Sequence, residues 1–251
     1  MRVIRPSALD PVGRRRTLLL ALSMLAAGIL AGQLTLVSAP APAATGLMAS
    51  AAALGLGVGS AWLLRVARPN RTRDLGSALV DVLSTAFDDT YTLLVAPRLP
   101  IRDAERLDGV LVGPGGVRVI TARDWDGRYR VRGRIWEFDA RGRRGWIRCR
   151  TNPSFDATKL AEGFGRWASQ VGLGELPVRP TIAFPLGRSK IVLEEPAEEV
   201  VSTDNAPWWA NSIGRVRRLD PGGAARVVEA VLDGAERAVG AAVPAQARRT
   251  R

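Results

Sequence analysis

The chain contains no histidine and one cysteine, Cys149. Those two facts exclude Ser-His-Asp and Cys-His catalysis, histidine-ligated metals and histidine general bases. They also exclude a cysteine-rich zinc site and any intramolecular disulfide. Chemistry is left to carboxylates, arginines, hydroxyls, two tyrosines and two lysines, Lys159 and Lys190. The densest group of such residues is Arg128, Arg130, Arg132, Arg134, Arg141, Arg143, Arg144, Arg148 and Arg150, interleaved with Trp125, Tyr129, Trp136 and Trp146. A basic, aromatic surface of this kind can track a phosphate backbone and stack bases, which makes Arg128, Arg130, Arg132 and Arg134 candidate anion-binding residues. Alternating arginines on strand faces also describe a solvated edge, or a face toward anionic lipid headgroups.

The whole chain has 36 Lys plus Arg against 24 Asp plus Glu, a formal charge of +12. A polyanion partner, nucleic acid or anionic lipid, fits that balance; so does a set of basic flanks around membrane segments in an arginine-biased sequence. Glu194, Glu195, Glu198 and Glu199 read as a solvated acidic turn rather than a metal cluster. Trp208 and Trp209 read as core packing, with a partner site as the alternative. Gly113-Pro114-Gly115-Gly116 is turn chemistry and not a phosphate loop, because no Lys-Ser/Thr follows and no strand-to-helix context surrounds it.

These residues sit behind an apolar N-terminal region. Arg14, Arg15 and Arg16 precede an uncharged run from Thr17 to about Val37, long enough to cross a hydrocarbon core of about 30 Å. A Pro- and Ala-rich break, Ser38 to Ala44, separates it from a second run, about Gly46 to Leu64, which ends in Arg65, Arg68, Arg71 and Arg73. The expected arrangement is a two-span membrane hairpin over residues 17–66, with both termini cytoplasmic because both outer flanks are positive. Residues 1–16 are then a basic cytoplasmic N-terminus and 67–73 a basic linker. Gly28 and Gly32, like Gly55 and Gly59, are spaced to let two helices approach closely. A cleaved secretory signal ending near Ala41-Pro42-Ala43 is the rival reading; the apolar run is too long for it.

The remainder is expected to be an α/β (α+β) domain, a mixed, largely antiparallel sheet flanked by helices. Asp74 to Phe87 is an amphipathic helix, with Leu75, Leu79, Val82, Leu83 and Phe87 on one face. Strands follow at Tyr91–Val95, Leu107–Val112 and Gly116–Arg123, then at Tyr129–Val131, Arg134–Phe138 and Trp146–Cys149, with a turn at Arg141-Gly142-Arg143. A helix from Phe155 to Val171 has Ser154 as its candidate N-cap. Strands at Val178–Phe184 and Lys190–Leu193 and a helix at Pro221–Val239 complete the order. Residues 74–186 form the core of this domain, 187–243 its completion, and 244–251 a disordered basic tail.

The segment Leu107-Asp108-Gly109-Val110-Leu111-Val112-Gly113-Pro114-Gly115-Gly116-Val117-Arg118-Val119-Ile120 resembles the core of the NERD (nuclease-related) domain family. Arg123-Asp124-Trp125-Asp126-Gly127 is similar to that family's Lys-Asn-Trp-x-Gly continuation, and Asn152-Pro153 to its Asn-Pro before a helix. The resemblance spans roughly Asp74 to Pro185. It implies a restriction-endonuclease-like fold of the PD-(D/E)xK superfamily. There an Asp and a Glu on adjacent strands hold a divalent cation, usually Mg²⁺, which activates water. A lysine two residues beyond the Glu lies on the same strand face.

Carried onto this sequence, the resemblance gives Asp108 as the first acid and candidate metal ligand, Thr121 in the Glu position and Arg123 in the Lys position. An upstream helical Glu becomes Ser77, and a helix Gln becomes Asp156. Threonine is a weak Mg²⁺ ligand, and Mg²⁺ is normally held through one or two carboxylates plus waters and substrate oxygens. Arg123 stays protonated and cannot act as a base. Asp124, Asp126, Asp156 and Lys159 are the residues that could compensate. The expected function is therefore a membrane-anchored, degenerate nuclease-like core that binds nucleic acid or another polyanion without efficient cleavage and requires no cofactor. The alternatives are an active Mg²⁺-dependent nuclease with a rearranged site, and a non-catalytic membrane scaffold for protein contacts.

Overall fold

The computed structural model describes residues 1–6, 11–37, 42–67, 71–101, 107–140, 145–216 and 218–247. In chain order the elements are β1 (Arg2–Ile4), α1 (Pro11–Val37), α2 (Pro42–Ala67), α3 (Arg71–Ser84), β2 (Thr92–Val95), β3 (Gly109–Gly113) and β4 (Gly116–Ala122). There follow β5 (Gly127–Gly133), β6 (Ile135–Asp139), β7 (Trp146–Arg148), α4 (Pro153–Gln170), β8 (Val178–Phe184), β9 (Ser189–Pro196), β10 (Glu199–Ser202), α5 (Ala206–Gly214) and α6 (Pro221–Ala247). The chain divides into two compact units, residues 8–70 and the remainder.

The larger unit is mixed α/β. Its six-stranded sheet has the order β1-β2-β3-β4-β8-β10, and a four-stranded sheet has the order β7-β6-β5-β9. Strands β2, β3 and β4 form an antiparallel meander. Pairing turns parallel at β4–β8 and β8–β10, and again at β5–β9. The sheets are thus mixed rather than mostly antiparallel. The reason is connectivity: α4 carries the chain back across the sheet between β4 and β8, and such a crossover returns a strand in the parallel sense.

Every residue of β3 and β4 is buried. One face meets α3 and α5 through Leu79, Leu83, Trp209 and Ile213 against Leu93, Leu111 and Ile120. The other meets α4 and α6 through Phe164, Trp167, Val227 and Val231 against Val110, Val112, Val117 and Val119. A strand covered on both sides reads as a continuous apolar run, which is how both appear in the sequence. The turn between them needs glycine at Gly116, where φ is +105° and a Cβ would stand 2.8 Å from the Pro177 carbonyl oxygen.

Several elements differ from expectation. Asn152, not Ser154, caps α4: its side chain accepts from the Ser154 backbone N–H at 3.0 Å. Ser154 is buried and its hydroxyl instead accepts from Trp136 Nε1 at 2.9 Å. The glutamates around Pro196 are not a solvated turn, for three of the four are bound to arginines brought from β4, β5 and the turn after β5. Arg132 meets Glu194 at 2.7 Å and Arg134 meets Glu198 at 3.0 Å. Buried Arg118 donates from Nε to Glu199 at 3.1 Å and from Nη1 to the Gly115 carbonyl at 2.6 Å. Glu199 also accepts from Trp209 Nε1 at 3.1 Å, which fixes α5 to the sheet. Trp209 is core and Trp208 is 70% exposed. The last helix continues past Val239 to Ala247; residues 248–251, like Arg68, Arg141, Arg143 and Arg144, lie outside the described residues.

β1 is a further element that the sequence pattern did not reveal. It pairs in parallel with β2, Arg2 opposite Thr92 and Ile4 opposite Leu94. The smaller unit is therefore inserted between two parts of one domain: the chain leaves it after β1 and re-enters it at α3.

That smaller unit is a helical hairpin. A Cβ on Gly28 would stand 2.8 Å from Leu56 N, one on Gly55 2.9 Å from Gly28 Cα, and one on Gly59 2.9 Å from the Leu25 side chain. Three of the four spaced glycines thus bring α1 and α2 into backbone contact, while Gly32 faces Ala52 Cβ at an ordinary 3.9 Å. Among the described residues no helix is long and apolar enough to cross a membrane. The described side chains of α1 run from Leu18 to Leu34.

Candidate functional site

Register places the first of the expected site residues. Gly109 pairs with Ile120 across β3 and β4, so Asp108, one residue earlier, lies opposite Thr121. The Asp108 Oδ2 accepts from the Ala122 backbone N–H at 2.9 Å, and the Asp108 carbonyl accepts from Ala96 N–H at 3.0 Å. Asp108 therefore also serves to hold the ends of β3 and β4 together.

Thr121 is 2% exposed and its hydroxyl has no hydrogen-bond partner. Strand side chains alternate, so Thr121 and Arg123 share a face. Backbone pairing persists one residue beyond β4, with Arg123 N–H donating to the Ala183 carbonyl at 2.8 Å. The same face carries α4, and from its first turn comes Asp156. Arg123 Nη2 and Asp156 Oδ2 meet at 2.5 Å. Arg123 Nε is buried without a partner. Strand register and the Arg123–Asp156 pair therefore bring four of the expected residues, Asp108, Thr121, Arg123 and Asp156, to the ends of β3 and β4 and the start of α4.

Asp124 and Asp126 are exposed in the loop between β4 and β5, past the end of the strand. Lys159 is exposed on α4, one turn beyond Asp156. Ser77 lies half-buried on α3.

The donor set does not fit a divalent cation. Among the described residues no three His, Cys, Asp or Glu side chains are grouped to hold a metal. In the cleft Asp108 faces a neutral hydroxyl, and the second carboxylate, Asp156, is taken up by a guanidinium. A cation placed there would meet a fixed positive charge and too few oxygen anions.

No family model, no curated protein and no solved structure matches this chain.

The arginine cluster separates into two classes. The four arginines expected to bind anions each have a carboxylate partner. Arg130 meets Glu137 at 2.5 Å, Arg132 meets Glu194 at 2.7 Å, Arg134 meets Glu198 at 3.0 Å, and Arg128 approaches Asp139 at 3.9 Å. Arg128 and Arg130 also lie over the Trp146 ring, 5.5 and 4.7 Å from its centroid. Their charge is largely answered within the four-stranded sheet. Trp125, Trp136 and Phe184 pack together beneath it, with Trp125 and Trp136 edge to face at 5.6 Å.

Arg148 and Arg150 differ. Both are exposed, and neither has an ion-pair partner among the described residues. They line a cavity of about 600 Å³ together with Thr151, Asn152, Phe155 and Asp156. Cys149 lines it too, half-buried, and burial pushes its thiol above the usual cysteine range, so it stays protonated and unreactive at neutral pH.

Phe155 was missed as a functional candidate. It is 63% exposed, although it begins an amphipathic helix. The signal was available: Ser154, Ala157, Ala161, Phe164 and Ala168 mark the buried stripe of α4, and position 155 lies off it. Buried Glu198 was missed as well. Its partners, Arg134 and Thr158, come from elements far away in sequence.

Replacing Thr121 by Glu tests this geometry. A carboxylate buried opposite Asp108 has its pKa raised by burial and by the like charge. With a raised folded-state pKa, the protonated form keeps the variant folded at low pH, and stability is lost as pH rises through that value. Thr121→Glu should match the parent most closely near pH 5 and lie about 3–5 kcal/mol below it at pH 8 in EDTA. Thermal unfolding at the two pH values measures this; equal stability at both would place position 121 outside a dry cleft.

Proposed function

We propose that this chain is a membrane-anchored module with a nuclease-like core that binds a polyanion, nucleic acid foremost, without cutting it. The observation that carries the reading is the ion pair between Arg123 and Asp156. In the NERD-like, restriction-endonuclease-like arrangement implied by the sequence resemblance, those positions belong beside a metal. A helix, a three-strand meander, a helix and a strand parallel to the third strand agree with that arrangement. Asp108 opposite Thr121 agrees with the expected placement of two ligands on adjacent strands. With threonine and a bound arginine in place of Glu and Lys, the cleft keeps its shape and loses the negative charge that Mg²⁺ requires. A guanidinium that cannot deprotonate retains affinity for phosphate oxygens and supplies no base.

Anchoring rests on the hairpin. Leu19, Leu20, Leu30 and Leu54 are each more than half exposed on α1 and α2. Helices apolar on all sides need a lipid or protein environment. The uncharged run from Thr17 to Val37 has the length to span a bilayer. Pairing of β1 with β2 supports an even number of crossings, because both ends of the hairpin lead into one domain. That agrees with the positive flanks on both sides and argues against removal of the first apolar segment as a cleaved signal, which would take β1 with it.

Two measurements test the reading. The full chain in neutral detergent should bind DNA with an affinity that falls as salt rises, and should release no nucleotides with Mg²⁺ or Mn²⁺. Metal-dependent cleavage lost in Asp108→Ala would establish instead a rearranged active site, and no binding at low salt would leave the scaffold reading. In oriented vesicles, cysteines introduced at Ser7 and Asn70 should react with an impermeant maleimide from the same side. Labelling from opposite sides would contradict the hairpin.

A further inference from the structure

The distribution of charge and aromatic surface around the cleft points to one place for a ligand. Of the described arginines in the middle of the sequence, those on β5 and the turn after it are answered by carboxylates, whereas Arg148 and Arg150 have no ion-pair partner among the described residues. These two flank a concavity of about 600 Å³ whose wall includes Phe155. Phe155 is 63% exposed, a costly position for a ring with no face to cover. Arg148 ends β7 and Arg150 follows two residues later in a bend, and both line the same cavity. Asn152 and Thr151 add polar groups to the same wall. The cavity also includes Asp156, whose charge Arg123 has already balanced, so it does not repel an anion there.

We infer that this cavity at the start of α4 binds single-stranded nucleic acid, with one base stacked on Phe155 and the adjoining phosphates held by Arg148 and Arg150. The inference rests on the polyanion-binding reading above and gives it an address. A flexible strand fits better than a duplex, because a ring inside a cavity can stack only on a base that is free of its partner. A membrane surface is the competing anion. It is disfavoured by shape: a headgroup layer is met by aromatic residues at a convex tip, and Phe155 lines a hollow.

The test uses the full chain in neutral detergent and a short fluorescein-labelled oligothymidylate, read by fluorescence anisotropy over a range of salt. Phe155→Ala should weaken binding about tenfold or more, the scale of one lost base–aromatic stack, and Phe155→Trp should retain it. Arg148→Ala with Arg150→Ala should lower the slope of log affinity against log salt by about 1.4, twice the ~0.7 per phosphate of single strands. Arg132→Ala, which removes a paired arginine, should change neither. Phe155 is exposed, so its loss leaves the fold intact, and tryptophan fluorescence verifies that.

If the oligonucleotide binds and none of these variants alters its affinity, the address is wrong while polyanion binding by the fold stands. If no nucleic acid binds at low salt, the underlying reading fails and this inference with it. If the same variants weaken binding to phosphatidylserine vesicles and leave oligonucleotide binding unchanged, the cavity serves the membrane surface and the inference is overturned.

Discussion

The cleft depends on one ion pair. Arg123 at the end of β4 and Asp156 in the first turn of α4 meet across it, and each settles the other's charge. Without the guanidinium, the Asp156 carboxylate would lose its ion-pair partner. Under the nuclease-like reading proposed above, the charge that a metal ion would supply comes from a side chain of fixed charge. The difference matters chemically, since a bound Mg²⁺ lowers the pKa of its water and a guanidinium does not. The pair is partly exposed, so its contribution to stability is modest. Its consequence is in what it leaves for a cation to bind.

The same principle orders the rest of the surface. Arginine dominates the basic residues, and a net charge of +12 suggests one broad cationic face. Instead, the strand arginines are threaded between glutamates of β6 and β9, with Trp146 beneath two of them. Arg118 is more tightly held, with Glu199, Thr181 and Trp209 around the same carboxylate. These arginines therefore tie elements of the domain together.

What the sequence makes legible follows from how local each interaction is. The apolar runs of β3 and β4 and the stripe on α3 were readable because periodicity and burial act over a few residues. The opposition of Asp108 and Thr121 follows from a tight glycine turn that fixes the register of the hairpin; in the sequence only the family resemblance paired the two positions. The pair of Arg123 and Asp156, separated by 33 positions, needed α4 to be packed on the sheet before it could be seen. The glutamates near Pro196 misled for the same reason: the partner of Glu199 is Arg118, 81 positions away, and from nearby residues alone they look like a solvated turn. Asn152 and Ser154 are both good caps by type; Pro153 between them and the buried contact of Ser154 with Trp136 decided which one caps. β1 escaped because three residues carry no period, and its pairing is set by the edge of β2.

Whether the cleft has exchanged a metal ion for a guanidinium is most directly measured by anomalous diffraction from crystals of the full chain soaked in Mn²⁺. No manganese peak should lie within coordination distance of Asp108, and Arg123 should remain on Asp156. A peak bridging Asp108 and Asp156, with Arg123 swung aside, would contradict the account.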